Sequence, residues 1–147
     1  MAEHILVGLS SAPSNARIIR TAATMSKAFG GSFTALFVRT PNYDAMSNAD
    51  KERLRQNTVL AQELGATIET VFGDDVSYQI AEYARLSGVT KIVVGRSAVS
   101  KRRLFGKPTL TEKLTRPGYK DHVENIDITL YLHKVGNKYL VYEMVNN

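Results

Sequence analysis

The sequence predicts an α/β fold built on a parallel sheet, and three observations carry that prediction. Short apolar runs rich in β-branched residues, such as Ile5-Leu6-Val7 and Ile92-Val93-Val94, read as strands buried on both faces. Stretches of helical periodicity stand between these runs. A glycine marks each helix-to-strand junction, at Gly30, Gly65 and Gly88. Strands alternating with helices of this length argue for βαβ units with right-handed crossovers.

The elements follow in order. Residues 5–9 form the first strand, and Ser10-Ser11-Ala12-Pro13-Ser14 is a turn-rich loop with Ser14 as candidate helix cap. A helix runs from about Asn15 to Phe29, with Ile18, Ala22, Met25 and Phe29 on one face. Residues 32–38 form the second strand, and residues 39–49 a polar connection. A charged helix begins near Asp50, with Leu54, Ala61 and Leu64 inward. Residues 67–72 form a third strand whose polar content predicts a less buried position. Asp74 or Asp75 caps a third helix, with Ile80, Tyr83, Ala84 and Ser87 on one face, and residues 89–94 return to the sheet. Residues 109–115 suit a short helix, stopped by Pro117-Gly118. Residues 126–132 alternate strictly, as a strand with one buried face does, and Gly136-Asn137 reads as a hairpin turn before a returning strand at residues 139–145. The chain is expected to be one domain, with a core at 3–132 and an extension at 133–147.

Composition narrows the chemistry. The chain has 147 residues, enough for one substantial core. It contains no cysteine, so disulfides, thiolate metal sites and cysteine nucleophiles are excluded. The three histidines, His4, His122 and His133, fall in no metal-binding spacing. No apolar run approaches the roughly 20 residues of a membrane span, and a cytoplasmic setting is expected. A net charge of +5 suits an anionic partner but is too spread out to indicate nucleic acid.

The stretch after residue 94 is the most informative. A buried strand ends at Gly95, and a loop follows with Arg96, Ser97, Lys101, Arg102, Arg103, Gly106 and Lys107 before a helix start at Thr109 or Thr111. Backbone N–H groups and a helix dipole make such a place suit a phosphate. The same residues also suit a solvated basic loop. Neither a Walker A loop nor a dinucleotide fingerprint is present. In parallel sheets ligands bind beyond the C-terminal strand ends, so residues 10–14 and 96–107 are expected to face one crevice.

These segments resemble the universal stress protein superfamily, most closely the cytoplasmic universal-stress-protein domain of KdpD-type potassium-sensor histidine kinases. The resemblance rests on Ile5-Leu6-Val7-Gly8-Leu9-Ser10-Ser11, on Ser32-Phe33-Thr34-Ala35-Leu36-Phe37-Val38, on Gly73-Asp74-Asp75 with residues 79–84, and on Ile92-Val93-Val94-Gly95-Arg96-Ser97 with residues 104–108. It covers about residues 3–115. It implies a Rossmann-like sheet of five parallel strands with helices on both faces, with residues 126–132 as the fifth strand and the tail as a hairpin extension. It also implies a homodimer, an adenine-nucleotide site without catalysis, and a histidine kinase or transporter as downstream partner. ATP-binding members carry G-x-x-G followed nine residues later by G-S/T; here Ala98 replaces the second glycine and Gly106-Lys107 the final pair. Cyclic di-AMP binders carry S-x-S and, twenty residues on, F-T-A-x-Y; here Ala12 replaces the second serine and Phe37 the tyrosine. The resemblance thus implies cyclic di-AMP or ATP as ligand. Gly8, Ser10 and Ser11 would line the first loop; Phe33, Thr34, Ala35 and Phe37 would shape the base pocket; and Gly95, Arg96, Ser97, Lys101, Arg102, Arg103 and Gly106 would receive the phosphates. A nucleotide-independent interaction module is the alternative.

Overall fold

Ile5, Leu6 and Val7 follow one another without polar alternation, and none is more than 1% exposed. A strand of that kind needs cover on both faces. The computed structural model describes residues 3–93 and the backbone of residues 94–95, 128–135 and 138–145. In it this run is β1 (His4–Gly8). Two parallel neighbours flank it, β2 (Ser32–Arg39) and β4 (Lys91–Gly95), and β3 (Thr67–Phe72) pairs parallel with the outer side of β2. β5 (Ile128–Val135) pairs antiparallel with β4, and β6 (Lys138–Val145) antiparallel with β5. The resulting order is β3-β2-β1-β4-β5-β6.

The expectation of five parallel strands is therefore corrected. Four strands are parallel, and the segment expected to be the fifth runs the other way, with Leu132 opposite Ile92. The strict alternation of residues 126–132 was the physical signal. One-sided burial belongs to antiparallel pairing, whereas central parallel strands read as continuous apolar runs. β5 and β6 pair out to Val135 opposite Lys138, the register that a two-residue hairpin connection demands. β3 is an edge strand, as its polar content predicted, and Phe72 at its end is 71% exposed.

Helices cover both faces. α1 (Asn15–Phe29) and α2 (Asn48–Glu63) pack on one side, where Ile18, Ile19, Ala22, Leu54 and Ala61 join Ile5, Val7, Phe33 and Ala35 in one apolar layer. α3 (Val76–Leu86) covers the other side, where Ile80 and Ala84 meet Leu6, Leu36, Val38 and Ile92. The alternation of β1 residues between the two layers is the period of two made visible. Gly30, Gly65 and Gly88 all take left-handed backbone, with φ of 66°, 97° and 69°, which is why glycine stands at each helix exit.

Several local expectations change. α2 starts at Asn48 because Ser47 caps it, its Oγ accepting from the Asp50 N–H at 3.1 Å. Asp75, rather than Asp74, caps α3, accepting from the Tyr78 N–H at 3.1 Å. Ser14 holds the cap position of α1 without a side-chain cap bond. Phe29 is exposed at the end of α1, where the Lys91 ammonium lies 4.6 Å from its ring centre. Ser87 lies past the end of α3 and is exposed. The expected loop at 96–107 and helix at 109–115 lie outside the described residues.

The N-terminal end of the sheet is tightly closed. A Cβ added at Gly31 would stand 2.0 Å from the backbone oxygen of Glu3, which also accepts from the Ser32 N–H at 2.9 Å. Gly31→Ala is expected to cost about 1–3 kcal/mol through overpacking and to lower the melting temperature by several degrees. Gly65→Ala tests the separate, conformational cost, because at that position the added Cβ meets nothing within 4 Å. Thermal unfolding of the two variants beside the wild-type chain checks both.

Candidate functional site

β1 ends at Gly8, level with Leu36, while β2 runs on to Arg39. Beyond them lies a cavity of about 220 Å³. The first loop contributes Gly8, Leu9, Ser10 and Ser11 to its wall, and β2 contributes Leu36, Phe37 and Val38. Thr40, Tyr43 and Met46 close it from the connection after β2, a single turn of 3-10 helix at Pro41–Ala45. Leu54 of α2 and Val76 and Ile80 of α3 complete it from the two helix layers. The Phe37 and Tyr43 rings meet edge to face, 5.7 Å apart at 66°. The Arg39 guanidinium lies 4.2 Å over the Tyr43 ring centre, and the Lys51 ammonium 5.4 Å from it.

A loop leaving a buried strand must find partners for its peptide groups. Here side chains supply them. Asn15, 4% exposed, donates from Nδ2 to the Gly8 carbonyl at 2.9 Å and accepts at Oδ1 from the Ser10 N–H at 3.2 Å. Asn57 of α2, 5% exposed, donates from Nδ2 to the Ser10 carbonyl at 2.9 Å. Arg53 donates from Nη1 to the Ser11 carbonyl at 2.9 Å and to Asp50 Oδ1 at 3.1 Å. Ser10 Oγ accepts from the Ala12 N–H at 3.2 Å. Two helices thus fix one loop of the cavity wall.

The structure gathers Gly8, Ser10, Ser11 and Phe37 at this cavity. Phe33, Thr34 and Ala35 lie lower on β2, level with Ile5, Leu6 and Val7. Phe33 and Ala35 are buried in the layer beneath α1 and α2. The Thr34 hydroxyl stands 2.9 Å from His4 Nε2. Gly95 ends β4, two residues beyond Val93, which is level with Val7. Arg96, Ser97, Lys101, Arg102, Arg103 and Gly106 lie outside the described residues. Among the described residues no group of His, Asp and Glu is arranged to hold a metal ion, and no helix is long and apolar enough to cross a membrane.

No family model matches the chain. The chain is 42% identical over 95 residues to the sensor protein KdpD of Clostridium acetobutylicum, across 65% of this chain and 10% of that protein. It is 27% identical over 137 residues to the sensor protein KdpD of Mycobacterium tuberculosis, across 92% of this chain and 15% of that protein. Its fold is similar to that of a universal stress protein solved in complex with cAMP, with a TM-score of 0.56 at 19% identity over 74% of this chain and 84% of that one. A universal stress protein family member from Burkholderia pseudomallei aligns with a TM-score of 0.51 at 20% identity, over 71% of this chain and 89% of that one. The chain is thus similar in sequence to a segment of KdpD sensor proteins and similar in fold to universal stress proteins.

The domain spans 10% and 15% of the length of these two curated relatives. Sequence reasoning missed Thr40, Tyr43 and Met46, because residues 39–49 read as a polar connection. The signal was there: Tyr43 and Met46 are the large apolar side chains of that stretch, three residues apart. Asn57 was also missed, although it falls between Leu54 and Ala61 on the inward face of α2.

Asn57→Ala removes the donor to the partly buried Ser10 carbonyl, a loss of about 1–3 kcal/mol. The variant is expected to melt lower. Amide exchange is expected to quicken first in residues 8–12, while the strand amides of β2 stay protected. Equal quickening throughout the sheet would show that Asn57 acts on global stability rather than on this loop.

Proposed function

We propose that this domain is a non-catalytic sensor of an adenine-containing nucleotide, with cyclic di-AMP first and ATP second. Its occupancy would be read by a KdpD-type histidine kinase or a transporter in potassium or osmotic signalling. The observation that carries the reading is the cavity itself: an apolar hollow walled by Phe37 and Tyr43 and edged by the backbone of residues 8–11, at the C-terminal ends of a parallel sheet. The similarity to KdpD supports the signalling context, and the fold neighbour solved with cAMP supports a nucleotide. The described lining residues carry hydroxyls but no carboxylate or imidazole, which suits holding a base more than moving protons.

In this reading the base lies against Phe37 and Tyr43. Gly8 lets the ligand approach the backbone, and Ser10 and Ser11 supply hydrogen bonds. Phe33, Thr34 and Ala35 support the pocket from below. Gly95 opens the basic loop, in which Arg96, Ser97, Lys101, Arg102, Arg103 and Gly106 take the phosphates. Calorimetry with cyclic di-AMP, ATP and AMP tests it. Replacing Arg102 and Arg103 with Ala is expected to weaken binding at least about tenfold, because one charge-assisted contact is worth about 1.5–3 kcal/mol. Phe37→Ala is expected to weaken binding with little change in salt dependence, since it removes a wall rather than a charge. If no adenine nucleotide binds at millimolar concentration, the domain is a nucleotide-independent interaction module.

The assembly reading is a symmetric dimer formed through the C-terminal hairpin, because β6 is a sheet edge and unpaired edges invite pairing with a second copy. Deleting residues 139–147 is expected to turn a sedimenting dimer into a monomer. A monomeric wild-type chain at tens of micromolar, or a dimer indifferent to the deletion, refutes it.

A further inference from the structure

β3 ends the sheet on the side opposite the hairpin, with β2 on its inner side and no strand on its outer side among the described residues. In a parallel pair, alternate residues of a strand turn both peptide groups to the same neighbour. The Gly73 N–H, one residue past the end of β3, donates to the Arg39 carbonyl at 3.2 Å. Counting back by twos, Val71, Glu69 and Thr67 bond inward to β2, and Ile68, Thr70 and Phe72 turn their N–H and C=O groups outward. Among the described residues nothing bonds these outward groups. The same three side chains share one sheet face. Ile68 packs against the layer beneath α1 and α2, Thr70 is exposed, and Phe72 is 71% exposed.

We propose that this edge pairs with the β3 edge of a second copy, antiparallel about a two-fold axis at Thr70. Residues directly opposite in an antiparallel pair share a sheet face, so the axis passes through one residue set against its own counterpart. Centred on Thr70, the axis sets Ile68 opposite Phe72 of the second copy and Phe72 opposite its Ile68. Every outward peptide group of β3 then finds a partner. The exposed ring covers a β-branched side chain and the two Thr70 hydroxyls meet, both favourable cross-strand pairs. Centred on Glu69, the axis sets two carboxylates face to face, which is destabilising, and leaves Phe72 beyond the paired strand. Centred on Val71, it leaves Ile68 unpaired. The occupant is a second copy because, in this one register, the edge is complementary to itself. Glu69 limits the strength of the contact. It stands diagonal to its own counterpart, two like charges about 7–8 Å apart. The pairing therefore belongs to high concentration and joins hairpin dimers edge to edge. It uses the opposite edge of the sheet and stands independently of the hairpin contact.

The chain has no cysteine, so an introduced thiol reports a contact without background. Hydrogen-bonded residues opposite one another lie about 5.5 Å apart at Cα, within reach of a disulfide. The test uses the full chain at about 1 mM, where a millimolar contact is half formed. Under mild oxidation Thr70→Cys is expected to cross-link at least about tenfold faster than Thr24→Cys on the exposed side of α1, the gain in effective concentration that a preformed contact gives. Glu69→Cys is expected to cross-link more slowly than Thr70→Cys. Sedimentation of the wild-type chain at the same concentration is expected to show a larger species than at tens of micromolar. Thr70→Lys sets two ammonium groups across the axis and is expected to abolish that species with the melting temperature unchanged. The pairing is overturned if Thr70→Cys cross-links no faster than Thr24→Cys, or if Glu69→Cys cross-links faster than Thr70→Cys. A larger species that persists in Thr70→Lys overturns it as well. A wild-type chain that is monomeric at tens of micromolar removes the hairpin dimer alone, and the Thr70→Cys cross-link then reports a β3 dimer.

Discussion

Everything at the C-terminal end of this sheet depends on how the peptide groups after β1 are satisfied. A buried strand that stops in the middle of a parallel sheet loses its ladder partners at once, and each orphaned group left in a dry site costs on the order of 1–3 kcal/mol. A continuation of the strand would satisfy them but would leave no room for a ligand. Asn15, Asn57 and Arg53 resolve the conflict by bonding the carbonyls of Gly8, Ser10 and Ser11 from the side. The loop is thereby hydrogen-bonded from the side while residues 8–11 line the cavity. Because two of these side chains come from α2, the docking of that helix and the shape of the cavity are one event.

The opposite end of the sheet is built in the contrary way. Lys91, only 6% exposed, places its ammonium 3.1 Å from Glu3 Oε2, and the Thr90 hydroxyl donates to the same carboxylate. A buried ammonium is tolerable only with such a partner. His4 sits alongside, with Nδ1 3.2 Å from the Ser87 carbonyl and Nε2 2.9 Å from the Thr34 hydroxyl. A carbonyl only accepts, so Nδ1 carries the proton, and in the neutral ring Nε2 accepts from Thr34. These bonds tie β1 to β2 and to the exit of α3, elements far apart in the chain. The sheet is closed by polar bonds at one end and hollow at the other.

Much of this was legible in the sequence because the central strands are extreme. A run such as Ile5-Leu6-Val7 has no polar residue to compromise between faces, so it announces a two-sided parallel strand, and the glycines at residues 30, 65 and 88 punctuate the helices. Polarity obscured the rest. Asn15 and Asn57 read as surface residues by type, yet both are buried because their partners are peptide groups rather than water. Phe29 followed the apolar stripe of α1 faithfully, but its ring stays exposed and meets a cation instead of the core. The direction of β5 turned on partner geometry, and only its alternation hinted at an antiparallel edge.

The stretch Phe33-Thr34-Ala35-Leu36-Phe37 shows why a motif and a site are different objects. Its first residues lie level with the middle of β1, and only its last ones reach Gly8, where β1 ends. Alternation sends Phe33, Ala35 and Phe37 to one face, so a single line of side chains begins as core packing and finishes as cavity wall. A substitution at Phe33 disturbs the packing of α1 and α2, whereas one at Phe37 touches the hollow directly. The two phenylalanines share a chemistry and a face; what separates their roles is four residues of rise, about 13 Å along the strand.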